Sequence, residues 1–331
     1  MMEPAMRVAQ ISEFGGSEAL RLEEVAEPRP GPGEVLIKVT AVGLNFADTL
    51  ILRNRYQVTP PLPFSPGSEM AGIVEAAGSG VTEIKPGQRV VAYTGGNGCR
   101  EKVVSKASNA VAIPDGVSDE AAAALSVTYG TALHGLKDRG RLQPGETVAV
   151  LGAAGGAGLA AVEIAKLMGA RIIAVASSEE KLAVARAHGA AESIDYAAED
   201  LKTRLKALTK PKGVDVLYDP VGGDYAEAGL RAMAWDGRYL VVGFASGAIP
   251  RLPLNLVFLK GCAIVGVYWP AFVEREPERH RANMVELLDW CRSGLIAPHI
   301  HARFALGETA AALALIEGRK VTGKVIVNPQ A

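Results

Sequence analysis

The sequence predicts an α/β protein in two parts, one an irregular β-rich domain and the other a doubly wound parallel sheet with helices on its faces. Three observations predict it. The segment Thr147-Val-Ala-Val-Leu-Gly-Ala-Ala-Gly-Gly-Ala-Gly158 runs an apolar strand into a glycine-rich turn and then into a helical pattern. From Thr147 onward strand and helix patterns alternate, whereas up to about residue 115 short apolar or alternating runs are punctuated by Gly and Pro. A chain of 331 residues with 49% hydrophobic side chains is too long for one ordinary core, so two domains are expected.

Each element follows from its local pattern. The runs 35–42, 71–77, 89–93 and 102–104 read as strands of the β-rich part, and residues 119–136, rich in Ala and Leu, read as one helix leading into the second part. There a strand from Thr147 precedes a helix at 159–168, a strand at 171–176, a helix at 179–188, a strand at 192–196, a helix at 200–209 and a strand at 214–219. A helix at 224–235, a strand at 238–244, a loop at 248–259 and a strand at 263–269 continue the series. The rest alternates helix (277–293), strand (301–304), helix (308–317) and strand (324–328), and its final strand suggests that the chain returns to complete the first domain.

The glycine turn carries the chemistry. Ala154, Gly155, Gly156, Ala157 and Gly158 lie between a strand and a helix, where small residues let the backbone approach a pyrophosphate and the helix N-terminus offers unpaired N–H groups to it. A chain that binds NAD usually places Asp or Glu about 20 residues past such glycines to bond the ribose 2′-OH, and that carboxylate would repel the 2′-phosphate of NADP. This chain has Ser177 and Ser178 there, with Lys181 one helical turn on. Hydroxyls and an ammonium suit a phosphate, which makes NADP(H) the expected cofactor; the bland reading is a serine helix cap beside a surface lysine.

Composition excludes several classes. A net charge of −1 gives no field for nucleic acid, and there is neither a run of 18 apolar residues nor a basic amphipathic helix to address a membrane. The start Met1-Met2-Glu3-Pro4-Ala5 lacks the regions of a signal peptide, so a cytoplasmic protein is expected. Cys99, Cys262 and Cys291 are far apart and odd in number, which argues against a disulfide framework or a Cys-rich zinc lobe. His299 and His301 would share a strand face without a third metal ligand nearby, and His134, His188 and His280 sit in helical patterns as surface or packing residues.

Seven motifs occur in one order: Glu34-Val-Leu-Ile-Lys-Val, Gly43-Leu-Asn-Phe-Ala-Asp48, Pro66-Gly-Ser-Glu-Met-Ala-Gly-Ile-Val74, Lys85-Pro-Gly-Gln-Arg-Val90, the Ala-Ala-Gly-Gly-Ala-Gly turn, Asp219-Pro-Val-Gly222 and Lys260-Gly-Cys-Ala-Ile-Val-Gly-Val-Tyr268. Together they resemble the medium-chain dehydrogenase/reductase superfamily and, within it, the zinc-independent NADPH:quinone oxidoreductases of the zeta-crystallin-like group. The resemblance implies a GroES-like β-rich catalytic domain at 1–123, a Rossmann NADP-binding domain at 124–268 and a C-terminal return to the catalytic domain at 269–331. Zinc members of the superfamily carry Cys where this chain has Asn45 and a Gly-His-Glu unit where it reads Gly67-Ser68-Glu69, so two catalytic zinc ligands are missing and no metal is expected.

The same resemblance assigns residues. Asn45 and Asp48 fall in the loop lining the nicotinamide side of a cleft, and Thr131 matches a position whose hydroxyl contacts the nicotinamide end. Lys181, Tyr196 and Arg319 match positions that hold the 2′-phosphate, and Gly243 with Phe244, Ala245 and Ser246 lies where backbone meets the nicotinamide amide. Asn45, Tyr56, Thr131 and Tyr268 are the expected pocket, with Tyr56 the candidate proton donor to an enolate. The implied activity is hydride transfer from NADPH to a quinone or α,β-unsaturated carbonyl. An acryloyl-CoA-type enoyl-thioester reductase and a non-catalytic, crystallin-like NADPH-binding protein are the alternatives. The apolar, uncharged strand 262–268 matches one that pairs with its twin in the family, implying a homodimer; a monomer with that edge covered by the loop 248–259 is the bland alternative.

Overall fold

The computed structural model describes residues 4–331, so the first three residues of the start read for a leader lie outside the described part. In chain order the first strands are β1 (Ala5–Gln10), β2 (Arg21–Ala26) and β3 (Glu34–Leu44), followed by the short helix α1 (Phe46–Leu52) and strands β4 (Glu69–Ala77), β5 (Arg89–Tyr93), β6 (Lys102–Lys106) and β7 (Ala110–Ala112). Helix α2 (Asp119–Ala123) precedes α3 (Thr128–Leu133), which runs on into a π-helical turn at His134–Arg139. The alternating region holds β8 (Thr147–Leu151), α4 (Gly156–Leu167), β9 (Arg171–Ala176), α5 (Glu179–Ala187), β10 (Glu192–Asp195), α6 (Leu201–Thr209), β11 (Val214–Asp219), α7 (Tyr225–Ala232), β12 (Met233–Val241), α8 (Leu254–Lys260) and β13 (Ala263–Gly266). Last come α9 (Trp269–Arg275), α10 (Pro277–Arg292), β14 (Ile300–Ala305), α11 (Thr309–Glu317) and β15 (Lys324–Asn328).

The chain divides into two compact units, one running to Val127 and resuming at Phe272–Ala331, the other Thr128–Ala271. In the second unit six parallel strands lie in the order β10-β9-β8-β11-β12-β13. Numbered from β8 this is 3-2-1-4-5-6, the doubly wound order whose reversal beside the first strand opens a crevice at the strands' carboxyl ends. β8 and β11 are buried along their whole length, as central parallel strands covered on both faces must be.

In the first unit seven strands form one sheet, β14-β15-β3-β4-β5-β7 with β6 also on β3. Register decides what meets at its centre. β4 is antiparallel to β3 with Glu69 opposite Gly43, and β15 is antiparallel to β3 with Val325 opposite Leu44. Lys324 thus enters the sheet beside Leu44 and Asn45, with Glu69 one strand away. Gly43 is what allows this crowding: a β-carbon there would lie 2.2 Å from the Ala123 carbonyl and 2.9 Å from the Glu69 carboxylate.

Four expectations are corrected. Residues 119–136 are not one helix, because the Val127 N–H is donated to the Glu69 side chain instead of to a helical carbonyl, and the chain turns between α2 and α3. The helix expected at 224–235 ends at Ala232, where Met233 turns extended and pairs with Val214, so β12 starts earlier than its apolar pattern suggested. The strand at 263–269 stops at Gly266, since Trp269 is buried at the start of α9. The stretch read as a loop at 248–259 contains most of α8, with Leu254, Phe258 and Leu259 exposed.

His280, on α10, is buried with its ring edge-on to Phe272, and that burial pulls its pKa from 6.5 down to about 4. Between those values the unfolded chain binds the proton more readily, so this side chain costs stability as pH falls from 6.5 and the loss is complete below about 4. We expect His280→Leu to flatten the acid side of the stability curve by up to about 1.4 kcal/mol per pH unit in that window. Urea titrations at several pH values would show it, and parallel wild-type and variant curves would reject it.

Candidate functional site

In the first unit Asn45 is the N-cap of α1, and the groups around it are tied down. The Lys324 ammonium donates to Leu44 O at 2.9 Å, Asn45 Oδ1 at 2.6 Å and Glu69 Oε1 at 2.7 Å, which uses all three of its N–H groups. Asn45 Nδ2 donates to the same Glu69 Oε1 at 2.8 Å, while Glu69 Oε2 accepts the Val127 N–H at 2.7 Å. Asp48 Oδ2 accepts the Asn45 N–H at 2.8 Å, closing the first turn as in a capping box, and its Oδ1 accepts the Gly67 N–H at 2.9 Å. Lys324 and Glu69 are 3% and 0% exposed, and Asp48 is buried as well. Charges so far from water persist only when paired and hydrogen-bonded, as these are.

Burial pushes the Asp48 carboxyl up to about 6, against two backbone donors and the Lys324 charge, which act to lower it. Its folded pKa lies above the unfolded value of 3.8, so stability rises as pH falls from about 6 towards 3.8, opposite in sign to His280. Across pH 4–6 the two groups partly offset each other.

In the second unit the glycine turn meets α4 at Gly155, an extended N-cap with no side-chain capping bond. The first N–H groups of this helix, from Gly156, Ala157 and Gly158, therefore have no capping side chain in the way of an anion. A β-carbon on Gly158 would stand 2.1 Å from Gly152 O, so the helix and the turn pack backbone to backbone there. At the end of β9 the serine cap is present and the lysine is tied to the neighbouring serine. Ser178 caps α5, accepting the Lys181 N–H at 3.4 Å, and Ser177 Oγ accepts from Lys181 Nζ at 3.1 Å. The lysine ammonium is thus held beside the place where an acid would have stood.

Tyr196, just past β10, packs against Tyr225 with ring centroids 4.3 Å apart and the rings tilted by 42°. The loop with Gly243, Phe244, Ala245 and Ser246 is stitched to the Asp219–Gly222 segment, since Ala245 N donates to Pro220 O and Ser246 N to Val221 O. Asp219 holds its own turn by accepting from Val221 N and Gly222 N, both at 2.8 Å, and from the Tyr239 hydroxyl. These groups, with Ser177 and Ala154–Gly158, all follow the carboxyl ends of parallel strands. Thr131 is half-buried on α3, and Tyr268 is exposed between β13 and α9. Asn45, Asp48, Tyr56 and Arg319 belong to the first unit, where Tyr56 packs half-buried against the core and Arg319 is exposed after α11.

Sequence reasoning missed three residues. Glu69 and Lys324 were read only as part of a motif and as the start of a strand; a lysine opening an apolar strand looks the same whether it faces water or a buried carboxylate. Glu163 on α4 accepts from Tyr129 OH at 2.6 Å and lies 2.7 Å from His188 Nδ1, fastening together α3, α4 and the end of α5. Among the described residues no group of three or more His, Cys, Asp and Glu side chains is placed to hold a metal ion. His299 and His301 both face the Thr322 hydroxyl instead.

A doubly wound sheet with an uncapped glycine turn in one unit, and a β-rich sheet with a closed polar cluster in the other, define a dinucleotide-binding class of fold. Comparison with known proteins agrees. Residues 31–132 match the alcohol dehydrogenase GroES-like domain and residues 156–290 the zinc-binding dehydrogenase domain. The chain is 41% identical to rat quinone oxidoreductase-like protein 2 over 94% of its own length and 89% of the relative's. It is 38% identical to the quinone oxidoreductase of Pseudomonas aeruginosa, over 97% and 98% of the two chains. The crystal structure of Escherichia coli quinone oxidoreductase complexed with NADPH superposes with a TM-score of 0.91 at 31% identity, covering 98% of this chain and all of that one. The chain belongs to the quinone oxidoreductase-like branch of the medium-chain dehydrogenase/reductase superfamily.

Proposed function

We propose that this chain is an NADPH-dependent, zinc-independent reductase that delivers hydride to a quinone or an α,β-unsaturated carbonyl. The observation that carries the reading is the Lys181 ammonium held on Ser177 at the end of β9, where an NAD-dependent chain would present a carboxylate. The uncapped turn at Ala154, Gly155, Gly156, Ala157 and Gly158 would hold the pyrophosphate, and Lys181, Tyr196 and Arg319 the 2′-phosphate. Thr131 and the loop Gly243, Phe244, Ala245 and Ser246 would meet the nicotinamide amide. When bound, NADPH supplies the hydride; the chain's own task is to orient the acceptor, exclude water and receive charge on its oxygen. Asn45, Tyr56 and Tyr268 are assigned to that acceptor, with Asp48 bracing the first.

Zinc independence belongs to the same reading. Asn45 and Ser68 are poor zinc ligands, and the Asn45 carboxamide is engaged with Lys324 and Glu69. Among the described residues no helix is long and apolar enough to cross a membrane, and the three cysteines are free thiols. The test is NADPH oxidation across simple quinones, small enones and enoyl-CoA esters, with and without exhaustive chelation. Chelator-insensitive turnover of quinones or enones is expected. Turnover confined to enoyl-CoA esters would replace the assignment by an enoyl-thioester reductase, and tight NADPH binding with no turnover would replace it by a binding protein.

Assembly as a homodimer is the second part of the proposal. Among the described residues β13 pairs only with β12 and is largely exposed, and beside it in sequence α8 exposes Phe258 at 83% together with Leu254 and Leu259. An open apolar edge invites pairing, and a two-fold axis that continues the sheet would satisfy it. Light scattering at low micromolar concentration is expected to give twice the chain mass, and Ile264→Pro to give the single mass, since alternation from the Val267 N–H bonded to Val241 O turns the Ile264 N–H to the open edge, where proline removes the donor a twin strand would use. A single mass for the wild type would reject the dimer.

A further inference from the structure

The cluster around Lys324 is buried except at one end. Lys324, Glu69 and Asp48 are shielded from solvent, while Asn45, bonded to all three, is only half-buried. An ammonium can only donate and a carboxylate can only accept, so the Asn45 carboxamide has a single possible orientation, oxygen to Lys324 and nitrogen to Glu69. Of its two Nδ2 hydrogens, one makes the 2.8 Å bond to Glu69 and the other has only a 3.4 Å approach to Gly43 O. This second N–H, held only by that long bond, is the donor the cluster engages least. A cation bonded to the amide oxygen at 2.6 Å draws electron density through the amide and strengthens that donor.

We propose that Lys324 is a positioning residue that orients and polarises Asn45, so that Asn45 Nδ2 donates to the carbonyl oxygen of the hydride acceptor. The inference rests on the reductase reading above. For an enone, a hydride with its electron pair leaves NADPH, which becomes NADP⁺, and bonds to the β-carbon. The C=C pair shifts towards the carbonyl carbon, the C=O π pair moves onto oxygen, and a proton from Tyr56, which solvent resupplies, then adds at the α-carbon to give the saturated ketone. Negative charge builds on the oxygen that Asn45 holds, and a fixed donor aimed at developing charge is worth most in a site shielded from water.

Three variants test it: Asn45→Ala, the charge-balanced pair Lys324→Met with Glu69→Gln, and Lys324→Arg, which keeps the ion pair but replaces three radiating donors by a planar fork. Two readouts are needed: kcat and KM over a set of enones, and equilibrium binding of substituted phenolates, mimics of the anionic oxygen, to protein without reductant. Asn45→Ala should lower kcat on the order of 100-fold, as loss of one oxyanion donor does elsewhere. The balanced pair should lose on the order of 10-fold in kcat with the KM for NADPH unchanged, and its phenolate affinity should no longer rise with phenolate basicity. Should the pair not fold, Lys324→Arg decides, with a several-fold loss in both readouts expected. Wild-type kcat and phenolate response in whichever of these folds would overturn the role of Lys324. An unaffected Asn45→Ala would instead overturn the assignment of Asn45 to the acceptor, on which the inference stands.

Discussion

Lys324→Met is expected to destabilise the first unit by about 3–5 kcal/mol, the cost typical of stranding one partner of a buried ion pair. The variant removes the cation that Glu69 Oε1 faces at 2.7 Å and leaves that carboxylate with the Asn45 and Val127 N–H donors alone. The Leu44 carbonyl and Asn45 Oδ1 lose a donor as well. Lys324→Met with Glu69→Gln should recover most of the loss, because a neutral pair pays no charge-burial penalty even though it gains no Coulomb attraction. Urea denaturation of the three proteins measures both quantities. A single variant as stable as the wild type would mean that water reaches this pair and that the cluster is not closed.

The second large effect is on cofactor choice. Lys181→Ala should weaken NADPH binding about 10- to 100-fold, the worth of one charged hydrogen bond to a phosphate, and leave NADH nearly unchanged. Ser177→Asp should act in the opposite sense for the two cofactors, placing a carboxylate against the 2′-phosphate while offering an acceptor to the ribose 2′-OH. Titration of each variant with both nucleotides decides the matter. Equal losses for NADPH and NADH in Lys181→Ala would show that the lysine only buttresses Ser177, to which it is bonded at 3.1 Å, and that the phosphate is held elsewhere.

Much of the doubly wound sheet was legible in the sequence because its signals are local. Strands β9, β11 and β15 have the bounds their apolar runs predict, and the turn before α4 is announced by glycines whose reason is steric. The serines at the end of β9 were legible for the same reason: an absent acid at a known distance from a glycine turn can be read without knowing the fold. The missing cysteine and histidine at Asn45 and Ser68 were equally plain.

What only the tertiary structure decided is what those residues are bonded to. Lys324 lies 255 residues from Glu69 and 279 from Asn45, and no periodicity connects them. They meet because β15 and β4 both flank β3 in one register, with Gly43 making room at the crossing. The break between α2 and α3 has the same origin, since a stretch rich in Ala and Leu has every local reason to continue as a helix until a distant carboxylate takes its Val127 N–H. The early end of α7 is likewise set by Met233 pairing with Val214, a strand contact that overrides the helical pattern. Residue type and local spacing settled which chemistry is possible in this chain; long-range sheet register, by sealing charges from water and choosing their partners, settled which side chains are left to carry it out.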